Sequence, residues 1–143
     1  MNTKQHTEWG SATVEAVVGV PVFILLILLA IMGGRVTLAK QAVDAAAADA
    51  ARVASLSRDA TKASSNAIKV AEASLANQGI NCLDTSVTID TAALRRPAGT
   101  PGSVTATLTC VIDLTDLGLA AASRTITSSV TSPVDTYVER SAP

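Results

Sequence analysis

Four kinds of residue could carry chemistry in this sequence: a lone histidine, His6; two cysteines, Cys82 and Cys110; a pair of acids, Asp113 and Asp116, in "DLTDLG"; and Glu15, an acid at the mouth of a long apolar run. His6 lies in a short polar head, where a solvated surface role accounts for it. The rest of the chain therefore has no imidazole for a Ser–His or Cys–His pair or for histidine metal ligation. Asp113 and Asp116 lack the Asp/Asn spacing of a calcium loop, and a strand-end turn explains them. Arg95-Arg96-Pro97 reads as a solvated loop, and no glycine-rich phosphate loop is present. The expectation is no enzyme, no cofactor, no metal site and no small-molecule substrate.

Composition narrows the partners further. The net charge is −1 and the basic residues are scattered, so there is no electrostatic case for nucleic acid. Trp9, Phe23 and Tyr137 are the only aromatics, too few for a stacking platform. Cys82 and Cys110 have no CxxC spacing and no nearby histidine, which suits one disulfide better than a metal site. Closing a loop of that size stabilises a domain by roughly 2–4 kcal/mol, and it places the C-terminal part outside the cytoplasm. The other reading is two reduced thiols in a cytosolic core.

Directly after Glu15 comes "AVVGVPVFILLILLAIMGG", Ala16 to Gly34, which carries no charge. About 19 residues at ~1.5 Å each span roughly 28 Å of helix, enough to cross a bilayer once. Pro21 stands near the first turns, where a membrane helix tolerates it and can bend. The run is longer than the core of a secretory signal, and "AIMGGRV" after it makes a poor cut site. Loop charge, with Lys4 before the span and Arg35, Lys40 and Arg52 after it, leans toward the opposite orientation from the cysteines. The cysteines and the head are given more weight.

Beyond Gly34 the chain to Gly79 is rich in alanine, with Val36, Ala39, Val43, Ala46, Ala50 and Val53 recurring every three or four residues. The pattern resumes through Ala60, Ala63, Ala67, Ala71 and Leu75, with Ile68 beside them, and Gly79 is a C-terminal stop. The serines and Asn66 around 55–66 can break or kink the run. From Ile80 the period becomes two: "TSVTID", "SVTATLTCVID" and "RTITSSV" alternate aliphatics with threonine or serine, and "RRPAGTPGS" between the first two is an exposed turn or loop. The fold class expected is α+β, a long N-terminal helix followed by a small antiparallel sheet of about three strands. Its core should be thin, because the side chains are small.

Glu15 is the remaining oddity. An ordinary anchor explains it: Ser11 caps the helix and Glu15 sits near its positive end, worth about 0.3–1 kcal/mol. A second account comes from likeness. A hydrophilic leader ending in glycine, a glutamate five residues later and then an uncharged helix resemble the class III signal of type IV prepilins. Within that group "GSATVEAVVGVPVFILLILLAIMGGRV" resembles the start of TadE-like pseudopilins of the tight-adherence (Flp) pilus machinery. Pro21, Arg35 and "SSVTSPVDTY" are also similar to that family's pattern.

The resemblance implies that a membrane prepilin peptidase cuts between Gly10 and Ser11 on the cytoplasmic side. Glu15 would then be the fifth mature residue, paired with the N-terminal amine of an adjacent subunit. It divides the chain into a leader at 1–10, a transmembrane helix at 11–34, an extracytoplasmic helical stalk at 35–78 with a kink near 55–66, and a β-rich region at 79–143 holding the disulfide. The implied role is a minor pilin or pseudopilin in the cytoplasmic membrane or a surface pilus, N-terminus inside and C-terminal domain outside. Its partners would be the membrane, the peptidase, other pilin subunits and pilus-assembly membrane proteins. The alternative is a single-pass membrane-anchored module whose outer domain binds an envelope partner without being part of a pilus.

Overall fold

The structure is a computed structural model that describes residues 9–115 and 123–137, with side chains from Ala16 onward. Two compact units emerge, Met1–Arg35 and Val36–Pro143. Helix α1 (Trp9–Ser55) contributes to both, its apolar part to the first and its alanine-rich part to the second. In the first unit the aliphatic side chains from Val17 to Leu29 are exposed along the helix, with no described residue burying them.

The second unit is built on α1 from Val36, helix α2 (Ala60–Asn77) and strands β1 (Cys82–Asp90), β2 (Gly102–Asp113) and β3 (Ser123–Val134). The architecture is therefore α+β, a long N-terminal helix ahead of a three-stranded antiparallel sheet in the order β1-β2-β3.

One feature differs from a kinked stalk: the chain reverses. Around the end of α1 the serines turn back on the helix's own carbonyls, with Ser55 Oγ donating to Arg52 O at 2.9 Å and Ser57 Oγ to Val53 O at 3.1 Å. Asp59 then starts α2 afresh, its carboxylate accepting from the Thr61 and Lys62 amides at 2.8 and 3.2 Å. Ser74 Oγ donates to Asp49 Oδ2 at 2.9 Å, and Gln78 Nε2 to the Ala42 carbonyl at 3.4 Å. Later residues of α2 thus meet earlier residues of α1, and the two helices form an antiparallel hairpin. The reason is burial: a single rod would leave the Ala63, Ala67, Ala71 and Leu75 stripe in water, whereas folding back buries it.

Helix α2 ends where Gly79 takes a left-handed φ of 69°. The Ile80 amide reaches Leu75 O at 3.1 Å and the Gly79 amide reaches Ala76 O at 3.0 Å, a Schellman cap that needs glycine at that position.

Along β2 the side chains of Val104, Ala106, Leu108, Cys110 and Ile112 face the helices and are buried. Its alternate residues form hydroxyl rungs with β3: Thr105–Thr131 at 3.0 Å, Thr107–Ser129 at 3.1 Å and Thr109–Thr127 at 3.1 Å. This accounts for the period of two in the sequence. Pro133, which has no amide to donate, is tolerated because β3 is an edge strand. Between β1 and β2 a short 3-10 helix, Ala92–Arg95, inserts Ala93 and Leu94 into the core.

The core is thin, as the composition implies. Its largest fully buried side chains are Leu94, Leu108, Val43, Val104 and Cys110, and alanines of both helices supply much of the remainder. Each methyl buried contributes only about 0.8 kcal/mol, so stability depends on many small contacts and on close approach of the helices.

Candidate functional site

The site that the sequence singles out is the start of α1. Its backbone is helical from Trp9, so Gly10 and Ser11 lie in the first turn. Ser11 and Glu15, four positions apart, share one face of the helix there. Glu15 is the only charged residue between Trp9 and Gly34. The side chains of Gly10 to Glu15, and His6 and Asp116 entirely, lie outside the described part.

After Glu15 the helix becomes apolar. Its most apolar 18-residue stretch has a mean hydropathy of 2.9, none of it is buried in the protein, and α1 is long and apolar enough to cross a membrane. Among the described residues nothing covers that aliphatic surface, and hydrocarbon satisfies such a helix without loss of backbone hydrogen bonds.

Cys82 and Cys110 are joined in a disulfide. Cys82 opens β1 on the edge of the sheet and is half-buried, while Cys110 lies in central β2 and is fully buried. The bond ties an edge strand to the middle one, where Thr85 pairs with Cys110 and Cys82 with Ile112. A reduced pair would leave the start of β1 held by its ladder and by the packing of Ile80 and Cys82 against the core.

The carboxylates of the second unit act locally. Asp113 Oδ1 accepts from the Thr115 amide at 2.8 Å, the strand-end turn expected for it, and that amide together with the Thr115 hydroxyl holds its carboxyl below the usual range. Asp59 is likewise held low, chiefly by the Lys62 amide and then by that of Thr61. Neither is poised to exchange protons near neutral pH. Among the described residues no group of three or more His, Cys, Asp or Glu side chains could hold a metal ion. A shallow open groove beside the disulfide is lined by Glu72, Leu75, Ile80, Asn81 and Thr85, with a single carboxylate and no base to oppose it.

Two surface features escape sequence reasoning. Leu83 is the extra residue of a register shift between Cys82 and Asp84, and Leu38 stands beside the buried stripe of α1; both are about 64% exposed. At the other end of the unit, Leu56 and Tyr137 are exposed. Period and composition carry no signal for a bulge, because a bulge depends on the partner strand's register.

Comparison with known proteins adds one match. Residues 10–52 fit the family model of TadE-like proteins. The matched segment begins at Gly10 and ends three positions before α1 does, so it takes in the apolar helix and its alanine-rich continuation but neither α2 nor the sheet. No curated protein and no solved structure matches the chain significantly.

Proposed function

We propose, with a TadE-like segment at residues 10–52 as premise, that this protein is a non-enzymatic minor pilin or pseudopilin of a tight-adherence pilus system. In this reading α1 crosses the cytoplasmic membrane once from an N-terminus inside, and the unit beginning at Val36 lies outside, where its disulfide is stable. A prepilin peptidase removes residues 1–10. The observation that carries the reading is where the match begins: at Gly10, five residues before Glu15 and directly ahead of the apolar helix.

The helical backbone at Trp9 gives the processing step a physical requirement. A peptidase holds its substrate extended, so the first turn must unwind around the cut. Gly10 lowers that barrier, since glycine disfavours helix by about 1 kcal/mol relative to alanine and offers no Cβ to obstruct close approach. After the cut, Ser11 carries a free amine and Glu15 a carboxylate, both at the edge of an apolar helix. Each is costly alone among packed apolar helices, and pairing between neighbouring subunits offsets part of that cost while setting their axial register.

The test is mass spectrometry of the membrane-extracted protein from cells with and without the prepilin peptidase. The expected result is loss of Met1 to Gly10 only where the peptidase is present, and an intact head in both strains would sink the proposal. A second reading, an anchored binding module outside any pilus, is favoured by one observation: the hairpin and sheet form a unit with its own core, and its second helix and sheet lie outside the matched segment. It requires neither cleavage nor Glu15.

A further inference from the structure

We infer that the groove beside the disulfide receives the Arg95 side chain of a second copy of this chain, so that second units associate head to tail. The contact rests on the second unit alone and needs neither processing of the head nor Glu15.

The groove lies where α2 ends and β1 begins, with apolar Leu75, Ala76 and Ile80 and polar Glu72, Asn81 and Thr85 among its lining residues. Its volume is about 190 Å³. Small-molecule sites run from roughly 300 to 1,000 Å³, so this one suits a single long side chain. Its composition selects which one. The apolar part takes an aliphatic stem, Glu72 takes a positive head, and the oxygens of Asn81 and Thr85 accept further N–H groups. An arginine meets all three demands, and its planar fork matches a carboxylate through two parallel hydrogen bonds. Among the described residues no base pairs with Glu72.

The same chain carries such an arginine at the other end of the unit. Ala93 and Leu94 anchor the 3-10 helix in the core, which leaves Arg95 exposed on a knuckle held from below. Among the described residues no carboxylate pairs with it. The two ends also differ in charge. Around the groove the exposed acids Asp44, Glu72, Asp84 and Asp113 outnumber Lys40 and Arg124. At the knuckle end Arg58 and Lys62 join Arg95 and Arg96, while Asp59, Asp90 and Asp135 each already accept a hydrogen bond from a backbone amide.

The occupant is another copy, because no copy can fill its own groove. Strand β1 has 9 residues between groove and knuckle. At ~3.3 Å per residue it sets them roughly 26 Å apart, beyond the reach of a side chain. Both halves of the contact sit on one chain at opposite ends, so each added copy offers a new groove and the contact builds an open row rather than a closed pair. An exposed ion pair contributes little by itself, so the association depends also on burial of the arginine stem and weakens with salt.

The experiment uses the full-length chain in nonionic detergent, as an equal mixture of unlabelled and heavy-isotope-labelled copies, with the photo-crosslinker p-benzoylphenylalanine replacing Asn81 at the groove. The expected result is a crosslink between differently labelled copies that maps to residues 92–101. Its yield should fall about fivefold with Glu72→Arg or with Arg95→Glu and should recover when both changes are made in one chain. Both positions are exposed, and an intact Cys82–Cys110 disulfide in each variant verifies that the unit is folded. A crosslink between copies that ignores both single changes overturns the contact, as does one that maps to the start of α2 instead. Absence of any crosslink between copies overturns it as well.

Discussion

The hydroxyl of Ser55, the last residue of α1, lies 2.9 Å from that of Ser132 on the edge strand β3, across 77 positions of chain. Ser55 is buried and its oxygen also donates to Arg52 O, so the pair closes the helix end against the sheet at the point where the hairpin turns. Replacing Ser55 with alanine leaves the half-buried Ser132 hydroxyl without that partner, and the expected loss is about 1–2 kcal/mol of unfolding free energy. The double change Ser55→Ala with Ser132→Ala should cost less than the two single changes summed. A double-mutant cycle by chemical denaturation checks this, and strict additivity would show that the contact contributes nothing.

Gly102 opens β2 directly over the 3-10 helix. A Cβ there would come within 2.7 Å of the Ala93 Cβ, which is closer than real methyl groups approach. Gly102→Ala is therefore expected to destabilise the second unit by about 1–3 kcal/mol, through displacement of the Ala93–Leu94 plug. Ala93→Gly in the same chain should restore part of the loss, and thermal unfolding of the single and double variants measures both effects.

Acid should loosen the start of α2 and the end of β2 together. Asp59 and Asp113 both have carboxyls held below their ordinary values by amide donors, the Lys62 amide first for Asp59 and the Thr115 amide first for Asp113. A group whose folded-state pKa is depressed contributes stability above its unfolded value, about 3.9, and that contribution fades as pH falls through the lower folded value. Melting temperature is expected to be level from pH 7 to about pH 5 and to decline below about pH 4. Asp59→Asn should flatten part of that decline, and an unchanged acid limb would remove the cap from the explanation.

Glu15→Gln separates the two functional readings. The pilus reading expects normal removal of residues 1–10, since Gly10 and Ser11 are untouched, together with impaired assembly because the mature amine loses its charged partner. An anchored module outside a pilus expects neither cleavage nor any effect of the substitution. Mass spectrometry of the N-terminus and counting of surface pili in the same strain give both readouts.

What the sequence determined was what neighbours along the chain decide. An uncharged run from Ala16 to Gly34 is a long exposed helix because hydrophobicity and helix propensity act locally. Gly79 is a stop because one backbone angle demands it. The threonine alternation is a sheet face because successive side chains in a strand point to opposite sides. Even the likeness of residues 10–52 to TadE-like proteins rests on one unbroken stretch.

Tertiary structure decided everything that needed a partner distant in the chain. The serines after Val53 signal an interruption equally well for a kink or a reversal. The reversal wins because only an antiparallel return buries Ala63, Ala67 and Ala71 with Ala50, Ala51 and Ala54, and Leu75 with Val43, Ala46 and Ala47. Cysteine spacing alone left a bridge and two thiols both open until β1 and β2 paired in register. The plug at Ala93–Leu94, the expulsion of Leu83 and the Ser55–Ser132 contact likewise depend on which surfaces meet. Packing of small side chains is specific only once the backbones have approached closely, and no local pattern encodes that approach.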